Sequence, residues 1–250
     1  MQPGKKIYFA SDFHLGVPTF ELSLAREKKI VRWLDSIKHD AEEIFLVGDI
    51  FDFWWEYKYT IPKGQTRLLG KIAELTDSGI AVHFFTGNHD LWMRDYFVEE
   101  LGVSVNHKPI ERTFNHKLFF IGHGDGLGPG DGWYKFLKKC FTHPFLIWSF
   151  GRLHPNLGFL IARRSSKRSR INTGDSDKQF LGDDNEWLMS FCKEEIKKKH
   201  RDFFIFGHRH LPLDLKVSDT SRYINLGEWI NYCTYAVFDG EKLELKTFEG

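Results

Sequence analysis

Apolar residues in this chain come in short bursts. Ile7–Ala10, Ile44–Val47, Val82–Thr86, Leu118–Ile121 and Phe203–Phe206 are each of strand length, and each runs into Gly, Asp or Asn turn chemistry. Between them the period lengthens. Ile30, Trp33, Leu34 and Ile37 fall at i, i+3, i+4 and i+7, and Leu68, Leu69, Ile72 and Ala73 repeat a shorter version, so both stretches predict amphipathic helices. Strands alternating with helices predict an α/β core. Beyond Phe206 the pattern becomes strands alone, around Tyr223–Leu226, Tyr235–Phe238 and Leu243–Thr247, with Asp239-Gly240 as a hairpin turn. No internal repeat is present.

One segment departs from the rest. Residues 132–172 hold nine basic residues (Lys135, Lys138, Lys139, Arg152, Arg163, Arg164, Lys167, Arg168, Arg170) and no Asp or Glu. The formal net charge of +1 therefore hides a basic stretch on a body where the other 26 basic residues meet all 34 acidic ones, a net of −8. Trp133, Phe136, Leu137, Cys140 and Phe141 recur at helical spacing, Leu157, Leu160 and Ile161 suggest a second helix, and Pro144 and Pro155 separate the pieces. The expected organisation is a single domain over residues 1–250, with 130–172 as a helical lid insertion. Its aromatics beside unopposed positive charge resemble an amphipathic membrane-surface element. The bland alternative is that they pack the insertion onto the core. Single-stranded nucleic acid would also accept a basic, aromatic surface, but charge confined to one segment argues against that partner.

Unbroken apolar runs such as Phe145–Trp148, extended to Phe150 across one serine, fall far short of the roughly 20 residues a membrane span needs. No secretory signal is read at the N-terminus. Cys140, Cys192 and Cys233 show neither paired nor metal-type spacing, which points to reduced thiols and a cytoplasmic location.

Five motifs carry the chemistry: Asp12-Phe13-His14, Gly48-Asp49, Gly87-Asn88-His89-Asp90, Gly122-His123-Gly124-Asp125 and Gly207-His208-Arg209-His210. Each begins within about two residues of the end of a predicted strand, where α/β sheets build their sites. Taken singly, Gly-Asp is an ordinary turn and Asp-x-His an ordinary strand end. Two imidazoles two residues apart after an apolar strand are hard to explain by packing, and all five motifs in this order harder still. Oxygen and imidazole donors without sulphur suit Mn2+, Fe, Zn2+ or Mg2+. Asp12, His14, Asp49, Asn88, His123, His208 and His210 are too many for one ion but fill two sites if one carboxylate bridges. Two metals about 3.5–4 Å apart activate water and clamp a phosphoryl group, so phosphate-ester hydrolysis is the expected reaction.

These motifs resemble the calcineurin-like metallophosphoesterase family, whose pattern is D-x-H, G-D, G-N-H-D, H and G-H-x-H. The resemblance runs from Asp12 to His210 and implies a four-layer α/β/β/α sandwich with a dinuclear centre. It implies that Asp12, His14, Asp49 and His210 bind the first metal, that Asp49 bridges, and that Asn88, His123 and His208 complete the second. His89 would stabilise the phosphoryl group or protonate the leaving oxygen, with Asp90 orienting it. Gly48-Asp49-Ile50-Phe51-Asp52, Gly207-His208-Arg209-His210-Leu211-Pro212 and Asn225-Leu226-Gly227-Glu228-Trp229 are similar to the branch of that family that cleaves a lipid-linked sugar nucleotide, UDP-2,3-diacylglucosamine, in lipid A biosynthesis. That likeness implies Mn2+, a station on the inner face of the cytoplasmic membrane through the lid, and substrate contacts from Asn88, His89, Asp131, Tyr134 and Ser169. His89 departs from it, because well-known members of the branch carry Arg there. Two rival expectations stand beside this one: a phosphoesterase of the same fold acting on a soluble nucleotide, and a non-catalytic membrane-surface module.

Overall fold

Period-two alternation inside the strands sorts the core into layers. A computed structural model describes residues 1–128, 132–173, 180, 182 and 186–250. Strands β1 (Lys6–Ala10), β2 (Ala41–Val47), β3 (Ala81–Phe85) and β4 (Ser104–Asn106) run parallel. Strands β10 (Thr234–Phe238) and β11 (Leu243–Thr247) extend the same sheet antiparallel, in the order β11-β10-β1-β2-β3-β4. A second sheet has the order β5-β6-β7-β9-β8, built from β5 (Ile110–Phe114), β6 (Lys117–Ile121), β7 (Phe203–Phe206), β8 (Pro212–Ser218) and β9 (Ser221–Leu226).

Ile7 and Phe9 of β1, Phe45 and Val47 of β2, and Phe85 of β3 face one way. They meet Phe119 and Ile121 of β6, Phe203 and Ile205 of β7, and Ile224 and Leu226 of β9 in one buried cluster between the sheets. The intervening residues face outward. Tyr8, Ala10, Ile44, Leu46, Val82 and Phe84 pack beneath helices α1 (Phe20–Ile37) and α2 (Thr66–Asp77). Those helices contribute Ile30, Trp33, Leu34 and Ile37, and Leu68, Leu69, Ile72 and Leu75, the faces their spacing predicts. On the far side Phe204, Phe206 and Tyr223 pack against Leu188, Met189 and Cys192 of α7 (Trp187–Lys198). Helix, sheet, sheet, helix is the four-layer arrangement.

All eight strands expected from the sequence form, and Asp239-Gly240 begins the β10–β11 turn, closed by Asp239 N–H donating to Lys242 O at 3.2 Å. Strands β4, β5 and β8 were not among those expected, nor were α7 and the four-residue α3 (Tyr96–Glu99). Within 132–173 there are three helices rather than two: α4 (Gly132–Phe141), α5 (Pro144–Phe150) and α6 (Pro155–Thr173). Pro144 opens α5 at its first position, where a missing N–H costs nothing. These helices rest on the loops that follow β2 and β3. Phe150 packs 4.5 Å from Trp55 between ring centroids, Phe159 packs 5.2 Å from Phe53, and Trp92 Nε1–H donates to Phe141 O at 2.9 Å. Among the described residues no helix is long and apolar enough to cross a membrane.

Phe9 is fully buried between the sheets, 5.1 Å from Phe45 and 5.9 Å from Phe119. Phe9→Ala should therefore destabilise the protein by about 3–5 kcal/mol in urea unfolding, the cost of a large cavity in a close-packed layer.

Candidate metal centre

The five motif-bearing loops leave the carboxyl ends of β1, β2, β3, β6 and β7, and backbone hydrogen bonds lock them together. Asp12 N–H donates to Gly48 O and His14 N–H to Asp49 O, both at 3.0 Å, which zips the β1 and β2 loops. Gly207 N–H donates to His123 O at 3.0 Å, which joins the β6 and β7 loops across the second sheet. Five non-glycine residues here hold left-handed φ angles: Asp12 (55°), His14 (45°), Asp49 (53°), His208 (69°) and His210 (53°). Such backbone is strained for these residue types and persists only where the surroundings enforce it. Glycine is required beside them. A Cβ on Gly87 would lie 2.2 Å from Asp49 Oδ1, and one on Gly207 would lie 2.4 Å from Asp12 Oδ2.

Each of the two central carboxylates is divided between two tasks. Asp12 Oδ2 accepts His208 N–H at 3.0 Å, and Asp49 Oδ1 accepts His89 N–H at 2.8 Å. The other oxygens, Asp12 Oδ1 and Asp49 Oδ2, are buried with no hydrogen-bond partner. Imidazoles converge on them. His210 Nε2 lies 3.2 Å and His14 Nε2 3.6 Å from Asp12 Oδ1, and the two nitrogens are 3.0 Å apart. His123 Nε2 lies 3.3 Å from Asp49 Oδ2 and 3.3 Å from Asn88 Oδ1. The carbonyl of Val47 accepts from His123 Nδ1–H at 2.8 Å, which leaves Nε2 as the ring nitrogen that faces Asp49 and Asn88. The donors fall into two groups, Asp12–His14–Asp49–His210 and Asp49–His123–His208, each with ligand atoms within 4.8 Å of one another. Asp49 belongs to both.

The charges point to what is held. Burial alone would push the Asp12 carboxyl up, but His14 and His210 hold it well below the usual carboxylate range. Asp49 is likewise held low against burial, chiefly by His123 and His89. Burial works against a charged His123, yet the Asp49, Asp12 and Asp125 carboxylates raise it to about 10. Burial lowers His14 to about 3 and His208 to about 4, so both offer neutral imidazole. Neither Asp12 nor Asp49 pairs with Lys or Arg among the described residues, although both are at most 1% exposed. Two buried carboxylates with orphaned oxygens, ringed by imidazoles that include two neutral ones, fit divalent metal and little else.

The remaining candidates divide. His89 lies at the rim, its ring 5.1 Å from that of His14. Its Nδ1–H donates to the backbone carbonyl of Asp52 at 3.0 Å, with Asp52 Oδ1 at 3.6 Å. Asp90 does not orient it, contrary to the role the resemblance implies. The Asp90 carboxylate accepts from the backbone N–H groups of Gly87 at 2.7 Å, Ile50 at 2.9 Å, Asp49 at 3.3 Å and Phe51 at 3.4 Å. It binds the β3 loop to the β2 loop and is too engaged to reach a side chain. Burial, then the nearby Asp49 charge, pushes its carboxyl up to about 7. Asp52 is the residue the motif reading passed over, although its position three residues after Asp49 was the available signal. Tyr134 reaches the site from α4, its ring 6.3 Å from His208 and its hydroxyl donating to Asp125, which also pairs with Lys138. Asp131 and the side chain of Ser169 lie outside the described residues.

Divalent metal held at a hundred times its Kd adds about 2.7 kcal/mol of stability, a Tm increase of roughly 5–10 °C for a chain of this size. Chelated wild-type protein should show that rise when metal is returned. Asp49→Ala, which removes the donor common to both groups, should melt at the same temperature with or without metal in differential scanning fluorimetry.

No family model matches the chain. A UDP-2,3-diacylglucosamine hydrolase from Porphyromonas gingivalis is 39% identical over 256 aligned positions, covering 98% of both chains. One from Vibrio atlanticus is 25% identical and also covers 98% of both. Among solved structures, a phosphoesterase from E. coli superposes with a TM-score of 0.48 at 14% identity, covering 98% of this chain and 93% of that one. With its five motif-bearing loops converging as they do, and with 39% identity to a relative aligned over 98% of both chains, the chain belongs to the UDP-2,3-diacylglucosamine hydrolase family of calcineurin-like metallophosphoesterases.

Proposed function

We propose that this chain hydrolyses the diphosphate of UDP-2,3-diacylglucosamine to UMP and 2,3-diacylglucosamine 1-phosphate, with two Mn2+ ions, at the inner face of the cytoplasmic membrane. The observation that carries this reading is the sharing of Asp49 between two donor groups, the arrangement a pair of ions bridged by one carboxylate requires. Asp12, His14, Asp49 and His210 would hold one ion; Asp49, Asn88, His123 and His208 the other. When bound, the ions make a water acidic enough to attack phosphorus near neutral pH and absorb charge on the phosphoryl oxygens.

His89 supplies what the ions do not. With Nδ1–H committed to the Asp52 carbonyl, Nε2 is the nitrogen that holds a proton against a phosphoryl oxygen or passes it to the departing sugar phosphate. In-line attack at the phosphorus nearer uridine breaks the bond to the bridging oxygen, so UMP takes the water oxygen and the acylated sugar keeps its 1-phosphate. Asn88 and Tyr134 would touch the diphosphate, and the family likeness adds Asp131 and Ser169 to that set.

The single-domain organisation with residues 130–172 as a lid belongs to the same reading. Phe141, Phe150 and Phe159 turn toward Phe53, Trp55 and Trp92, an apolar lining suited to acyl chains. Phe136, Phe145 and Trp148 face solvent, and Arg152 lies 4.9 Å above the Trp148 ring. Basic residues beside an anionic leaflet contribute about 1 kcal/mol each, so this face suits a bilayer that delivers a double-tailed substrate.

Purified protein with added Mn2+ should release UMP from UDP-2,3-diacylglucosamine, and a chelator should stop it. Metal-dependent cleavage of a generic phosphodiester without UMP release would retain the metal centre and sink the lipid substrate. His89→Ala should keep its metal content by elemental analysis while kcat falls roughly 10²–10⁴-fold, the usual contribution of a placed acid; full activity would remove His89 from the mechanism.

A further inference from the structure

Ser166 is a buried polar residue on α6, most of whose described residues are at least partly exposed. Among the described side chains from Pro155 to Ser166, those buried are Gly158 and Ser166, eight positions apart on the face shared with the half-buried Ala162, while Arg164 and Ser165 are exposed. At the end of that face Ser166 Oγ–H donates to Asp52 Oδ1 at 2.9 Å and lies 3.5 Å from His89 Nδ1. Asp52 is tied on three sides. Its N–H donates to Leu15 O at 2.9 Å in the β1 ligand loop, its carbonyl accepts His89 Nδ1–H, and its carboxylate accepts Ser166. A hydroxyl from a helix 114 residues away along the chain thus completes the shell around the imidazole that faces the reacting phosphorus.

The physical consequence is coupling. A hydroxyl bonded to a carboxylate is a charge-assisted hydrogen bond, and in a buried setting it fixes the carboxylate rotamer. Withdrawing α6 would expose Asp52 Oδ1 to water, free that carboxylate to turn, and loosen the ring seated against it. We propose, building on the role given to His89 above, that Ser166 is a positioning residue: docking of α6 closes a Ser166–Asp52–His89 chain that sets the imidazole for phosphoryl transfer, so that turnover depends on the helix being seated. The basic helical segment then does more than hold acyl chains, because it completes the site it covers.

A double-mutant cycle on the metal-loaded full chain tests this, with Ser166→Ala, Ser166→Thr, His89→Ala and the pair Ser166→Ala/His89→Ala. Ser166→Ala should lower kcat about ten- to a hundredfold, as small misplacements of catalytic groups do, with KM little changed and metal content intact. Ser166→Thr, which keeps the hydroxyl, should recover most of the loss. The double variant should be no slower than His89→Ala alone. If the Ser166 factor persists in the His89→Ala background, or appears in KM alone, Ser166 does not act through His89. If wild type releases no UMP, the lipid reading fails, and the same cycle run on bis(p-nitrophenyl) phosphate still decides the role of Ser166. Independently of activity, imidazole 15N spectra of Mg2+-loaded protein should show the His89 Nδ1 signal of wild type displaced in Ser166→Ala, as its hydrogen bond to Asp52 loosens. Identical spectra would overturn the proposal.

Discussion

Two aspartates with one satisfied oxygen each govern the architecture. A carboxylate can be taken out of water only if both oxygens find partners. In Asp12 and Asp49 the chain supplies a backbone amide for one oxygen and leaves the other for a cation. The loops must therefore bring an N–H from a different strand to each carboxylate: His208 from β7 to Asp12, and His89 from β3 to Asp49. Both sheets are needed to close this arrangement, which is why the phenylalanine layer between them matters to chemistry as well as to stability. If the sheets slid by one residue, the amides would miss their carboxylates.

The second constraint is the rigidity of the loops themselves. The left-handed residues after β1, β2 and β7 turn the chain sharply enough to aim consecutive side chains at one point. Asp90, with four amides on its carboxylate, fixes the β3 loop to the β2 loop from behind. The donors are in this way held by backbone contacts, as a metal site needs if it is to choose its geometry rather than accept whatever the side chains reach.

Much of this was legible in the sequence, for a local reason. Strands such as Phe203–Phe206 are unbroken apolar runs because both faces are buried, and the candidate donors follow them within about two residues, so strand and motif announce each other. Legibility failed where meaning is non-local. β4 is three residues long at a sheet edge, and β5 alternates Ile, Glu, Arg, Thr and Phe too irregularly to stand out. The seven residues of α5 are apolar but for Ser149, so they carry too little polar contrast for a helical period to show. The resemblance implies that Asp90 orients His89, but a motif does not show which way a carboxylate points; in space that of Asp90 faces backbone amides, and Asp52 stands beside the ring. Ser166 carries no motif at all, and only the packing of α6 gives it a role.

The left-handed ligand positions also bear on how such a centre can change over evolutionary time. A side chain borne on ordinary extended backbone can be swapped for another donor with little more than a rotamer change. Here Asp12, His14, Asp49, His208 and His210 project from turns in which β-branched residues are disfavoured and which glycines at 87 and 207 leave room for. The heritable unit is thus the strand end with its bend, not the individual ligand. Helices α5 and α6 meet these loops through aromatic contacts such as Phe150–Trp55 and Phe159–Phe53, which tolerate a change of ring, while the bends beneath them admit few neighbours in sequence space.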